Sequence, residues 1–149
     1  MKGDWDKPDG EICMGLDQYL YSVKYLSKYR ENEDLGKTQI VKTEEIYWRK
    51  SNQIHNWFVN NVQNGTDDCG FYEVSEDQLI DLKNTCQKVL DNPKLAEKLL
   101  PTQSGFFFGS TEYDEYYWHD IKYTIQEIDK LLKLDEQESF SWFEYHSSW

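Results

Sequence analysis

The sequence is short of cations. Lys and Arg together number 16 against 28 Asp and Glu, which leaves a net charge of −12. Affinity for a phosphate backbone comes from Lys and Arg, so direct binding of DNA or RNA is not expected. Long apolar runs are also missing. No stretch approaches the 18 consecutive apolar residues of a membrane helix, and no membrane partner is expected. The opening residues, Met1 to Asp6, lack the apolar core of a signal peptide. Cysteine is scarce: Cys13, Cys69 and Cys86 form no C-x-x-C pair, which argues against zinc-ribbon and thioredoxin-like chemistry. An odd count without a secretory signal points to reduced thiols in a cytosol. Cys86 falls in a helical pattern as a core residue. Cys69 follows Asp67 and Asp68, whose charge would raise a thiol pKa and make a poor nucleophile.

Aromatic residues are abundant, with 6 Trp, 11 Tyr and 7 Phe in 149 residues. A disordered acidic chain would be poor in them, so the chain reads as one folded acidic domain. Three parts are expected: a flexible N-terminal arm over residues 1–12, a globular domain over 13–134, and an acidic, aromatic C-terminal tail over 135–149.

Within the domain, Tyr19, Tyr21, Val23 and Tyr25 alternate with their neighbours, which predicts a strand. Residues 30–37 read as a charged loop, and 38–41 as a short strand. Residues 43–62 read as a helix capped by Thr43. At about 100° per residue, Ile46, Ile54, Trp57 and Phe58 share one face, with Arg49, Asn52, Gln53, Asn56 and Asn60 opposite. Lys50 and Asn61 project into the apolar sector. Asn64-Gly65 ends this helix. Residues 69–74 form a short strand, and Ser75 with Gln78 makes a capping box for a second helix. Pro93 opens a short helix through Leu100. Residues 101–111 form a packed loop or hairpin. Residues 112–134 form a third long helix capped by Ser110 or Thr111, with Asp114 on its buried stripe. Residues 140–145 are placed as an edge strand. The fold class is α+β, with three main helices packed on a small antiparallel sheet.

Three blocks carry a resemblance: GLDQYL at 15–20, YWRKSNQIHNWFV at 47–59, and LPTQSGFFFGSTEYDEYY at 100–117. They resemble a family of small phage and prophage proteins. The resemblance carries no catalytic role. It implies an accessory function against host defence inside a host bacterial cell, hence a cytoplasmic location.

Several constellations could carry chemistry. Arg49 offers a fork for phosphate or carboxylate, Asn52 and His55 offer polar selectivity, and Trp48 and Tyr113 could stack on a planar ring. Lys50 must snorkel, face a cavity, or pair with Asp17 or Asp114. The loop contributes Gln103, Ser104, Ser110 and Thr111 at a helix start, where an anion is favoured. The plain alternatives are a solvated helix face and a packed, capped turn. His55, Asp67, Asp68 and Asp114 make a conceivable hard-ligand set, but no metal motif is present, and neither metal nor cofactor is expected.

Three functions follow. The first is a non-enzymatic host-defence antagonist that captures a nucleotide-like or phosphorylated ligand with Asp17, Trp48, Arg49, Lys50, Asn52, His55, Gln103, Ser104, Ser110, Thr111, Tyr113 and Asp114. The second is an acidic inhibitor or nucleic-acid mimic that blocks a basic host nuclease surface. The third is a small hydrolase or transferase using His55 with Asp17 or Asp114.

Overall fold

A computed structural model describes residues 15–26, 39–105 and 108–149. The expected N-terminal arm, Cys13, the whole 30–37 loop, Phe106 and Phe107 lie outside the described residues. The described chain is α+β: four strands form one antiparallel sheet, and helices cover one of its faces.

Strand β1 is Asp17–Tyr25, as its alternation predicts. Strand β2 is Ile40–Arg49, and this corrects the helix expected from residue 43. The segment is rich in β-branched and aromatic residues, Ile40, Val41, Thr43, Ile46, Tyr47 and Trp48, which suit a pleated surface better than a helical turn. Its buried positions, Ile46 and Trp48, are two apart, not three or four. It pairs with β1 from Asp17 opposite Arg49 to Tyr25 opposite Ile40. The ladder passes over Glu45, a bulge that shifts the register. Lys50 then takes a left-handed φ of 55°, which ends the strand and starts the turn into helix α1, Asn52–Asn61.

Strand β3 is Phe71–Val74. Helix α2, Glu76–Asp91, begins with the expected capping box: the Ser75 hydroxyl accepts from the Gln78 amide, and the Gln78 side chain accepts from the Ser75 N–H. Pro93–Leu95 is a tight 3₁₀ turn leading into the short helix α3, Ala96–Leu99. Helix α4 is Glu115–Glu138. Its cap is Asp114, whose carboxylate accepts from the amides of Tyr116 and Tyr117. Ser110 and Thr111, expected as caps, lie too early in the chain to reach those amides. Strand β4 is Trp142–Ser148. It lies inside the sheet, whose order is β2-β1-β4-β3, where an edge strand was expected. The end of the chain therefore completes the sheet, and Phe143 and Tyr145 enter the core.

The core forms where Leu20, Trp48, Val74, Phe143 and Tyr145 meet Phe58 of α1, Leu79, Leu82, Cys86 and Val89 of α2, and Ile121, Ile128 and Leu131 of α4. Phe58 stacks on Tyr145 with ring centroids 3.8 Å apart. The α4 stripe also takes Thr124, which is fully buried and accepts from the Trp48 indole N–H at 2.9 Å. Burial pushes the Cys86 thiol up to about 12, as befits a core residue. No described helix is long and apolar enough to cross a membrane.

Candidate functional site

Two clefts flank the loop that joins α3 to α4. The first has a volume of about 750 Å³ and runs along β2, between residues 44–50 of that strand and the first turns of α4. Its walls are aromatic, from Tyr47, Trp48, Tyr116, Tyr117 and Tyr123. Its charged groups are mostly acids: Glu44, Glu45, Glu112, Asp114 and Asp120 face it, against Arg49 and Lys50. The second cleft, about 480 Å³, is lined by His55, Asn56 and Asn60 of α1, Asp67, Gln103, Ser104, Gly105, Phe108 and Trp149.

The expected site residues divide between these clefts. Trp48, Arg49, Lys50, Ser110 and Asp114 line the first, while His55, Gln103 and Ser104 line the second. The remaining four line neither. Asp17 accepts hydrogen bonds from Arg49, at 2.8 Å, and from the Tyr47 hydroxyl. It therefore belongs to Arg49, and Lys50 meets neither Asp17 nor Asp114 in an ion pair among the described residues. Thr111 uses its carbonyl to accept from the Thr102 hydroxyl. Tyr113 leans on Tyr117, with ring centroids 4.9 Å apart.

Asn52 is the clearest change of role. It is fully buried, where an exposed polar helix face was expected. Its side-chain amide donates to the carbonyls of Phe108 and Ser110 at 3.1 and 2.9 Å, and its Oδ1 accepts from the Gln103 N–H at 2.9 Å. It holds the loop that separates the clefts and has no spare group to read a ligand. Gln53, beside it, is also buried and donates to the Tyr117 carbonyl at 3.3 Å.

His55 is likewise internal. Its Nδ1 lies 2.7 Å from the Tyr145 hydroxyl, and its Nε2 lies 3.0 Å from Asp67 Oδ1. Neither Asp17 nor Asp114 reaches it, so the expected dyads do not form. The Asp67 carboxylate can only accept, so the His55 Nε2 is the donor toward it and the Nδ1 of the neutral ring is an acceptor. Tyr145 therefore donates to His55 Nδ1, and the imidazole carries its proton on Nε2, toward Asp67. Burial lowers the His55 pKa, against the raising effect of Asp67. Tyr145→Phe removes the hydroxyl that donates to the buried His55 Nδ1, and should cost about 2 kcal/mol in urea unfolding. A variant with unchanged stability would show that this chain carries no weight.

Asp120 is the functional candidate that sequence reasoning missed. It lines the first cleft, and its carboxyl lies near Ser51 and Gln53. Burial raises its pKa to about 7. The Ser51 and Gln53 contacts oppose the shift, and nearby Asp114 adds to it. Its only sequence signal is an acid one turn before the buried Thr124 on an otherwise apolar helix stripe. The hard-ligand set is dispersed: Asp67 turns to His55, Asp68 to the Gly70 amide and Tyr72 hydroxyl, and Asp114 to the α4 cap. Among the described residues, no group of three or more His, Cys, Asp or Glu is placed to hold a metal.

No family model matches the chain, no curated protein matches it, and no solved structure matches its fold.

Proposed function

We propose that this is a binding protein whose first cleft takes an organic cation, an ammonium or guanidinium group on a flat apolar body. One observation carries the reading: five carboxylates and only two cations surround a cavity with five aromatic walls. Ring faces attract a cation through their quadrupole, and carboxylates bind it by charge-assisted hydrogen bonds. A phosphorylated or nucleotide-like guest fits this charge less well. Arg49, the expected phosphate fork, already holds Asp17, and Lys50 is left among the acids. The Arg or Lys side chain of a basic partner presents the same chemistry as a small cation. The net charge of −12 favours that second reading, an acidic inhibitor of a basic protein. With the phage-protein resemblance, either would be an accessory role.

Titration calorimetry with benzamidine, tyramine and agmatine tests this, with adenosine monophosphate as the anionic comparison. At least one cation should bind with Kd below about 1 mM. Tyr116→Ala, at a rim residue that is 71% exposed, should weaken it about tenfold without unfolding the protein. Silence from all three cations, or tighter binding of the nucleotide, overturns the proposal.

A further inference from the structure

The second cleft differs in chemistry from the first. Around it stand neutral side chains, Asn56, Asn60, Gln103 and Ser104, and one acid, Asp67. None of the described residues lining it is Lys or Arg. An anion would meet only the Asp67 carboxylate, so a phosphate is disfavoured. His55 cannot serve as a base there, because both its ring nitrogens are engaged.

Trp149 is held in a particular way. Its indole N–H donates to Asp67 Oδ1 at 3.0 Å, the same oxygen that receives His55. The buried chain behind His55 thus fixes the carboxylate, and the carboxylate fixes the indole edge. One side of the indole meets Phe108 edge-on, with centroids 6.0 Å apart, while the residue stays 49% exposed. The outcome is a one-sided aromatic platform beside amides that both donate and accept. A planar base gains most from stacking between two rings, and among the described residues this cleft offers one well-exposed ring, Trp149. A pyranose ring suits it better: its C–H face lies flat on an indole, and its hydroxyls donate and accept around the rim.

We propose that the second cleft is a binding site for a neutral saccharide, with Trp149 as the stacking platform and Asp67, Asn56 and Gln103 as hydroxyl partners. The site stands apart from the cation cleft, and its test is independent of that reading.

The test follows the Trp149 indole N–H resonance in ¹⁵N-labelled protein, assigned by its loss in Trp149→Phe. Methyl glucoside, methyl galactoside and N-acetylglucosamine are titrated to about 50 mM, the weak range expected for a shallow polar site. Adenosine serves as the planar comparison. At least one saccharide should shift this signal saturably. Gln103→Ala, and Trp149→Ala followed through the backbone amide resonances of Asp67 and Gln103, should each weaken the binding by about tenfold while the rest of the spectrum keeps its dispersion. Absence of a shift with every saccharide, tighter binding of adenosine, or binding that survives Trp149→Ala overturns the proposal.

Discussion

Asn52→Ala should lower the unfolding free energy by roughly 3 kcal/mol and loosen the loop between the clefts. The side chain makes three hydrogen bonds to backbone groups that are 51 to 58 residues away in sequence. Removing it leaves one N–H and two carbonyls without partners in a site where Asn52 itself is 1% exposed. Each orphaned buried group costs about 1 kcal/mol or more unless water reaches it. Among the described residues the loop has no second buried side chain that bonds it at three points. Thr102 bonds to Thr111 across its base, and Gly109, at φ +91°, brings its backbone so close to Lys50 that a Cβ there would lie 3.0 Å from the Lys50 Cβ. Amide exchange should therefore speed up at Gln103 and Phe108 well before it does in α2. Both clefts should lose affinity together, because Gln103 and Ser104 wall one and Gly109 and Ser110 the other. Asn52→Asp should be worse than Asn52→Ala, since it keeps the acceptor, loses both donors and buries a charge. An unchanged urea midpoint for Asn52→Ala would remove the clamp from the account.

Much of the fold was legible because local physics decided it. The period of two in Tyr19, Tyr21, Val23 and Tyr25 gave β1 to the residue, and Ser75 with Gln78 gave the start of α2. Pro93 marked the next helical turn. The stretch from Thr43 to Arg49 misled for a physical reason. An edge strand with a bulge at Glu45 breaks its own alternation, and the breaks imitate a helical spacing that runs on into a true helix. Once Lys50 is taken as the junction, its place in the apolar sector needs no snorkelling or ion pair. Asp114 looked anomalous on its stripe because the cap was placed some four residues early. The site was less legible, since it depends on long-range meetings. Nothing local announces that Asp120 lies near Ser51, that Tyr145 reaches His55, or that Asp17 pairs with Arg49. The expected pocket joined Arg49 and Lys50 to the Gln103–Asp114 segment, and only the fold shows that Glu44, Glu45, Glu112 and Asp120 line the first cleft beside those cations.

Asp120→Asn should stabilise the protein by roughly 2–4 kcal/mol at pH 8 and by almost nothing at pH 4. The sign follows from the direction of the shift. In the folded state burial raises the carboxyl to about 7, from an ordinary value of 3.8. Between those values the folded protein holds a proton that the unfolded chain has released, so stability falls as pH rises across that window. Above about pH 7 both states are ionised and the full cost is present. Below 3.8 both are protonated and the cost is gone. Asparagine is neutral throughout and can still meet Ser51 and Gln53, so the variant escapes the cost at high pH. Urea unfolding of the two proteins from pH 4 to pH 8 should give curves that coincide at the acid end and diverge above pH 5. Parallel curves would mean that Asp120 is solvated like any surface acid. The same group then links stability to binding. An organic cation in the first cleft should bind more tightly at pH 8 than at pH 6, because ionised Asp120 gains a partner for its buried charge. In Asp120→Asn that pH dependence should flatten. A residue that costs the fold a few kcal/mol when empty, and recovers part of that when a cation arrives, is the balance a binding site strikes between stability and function.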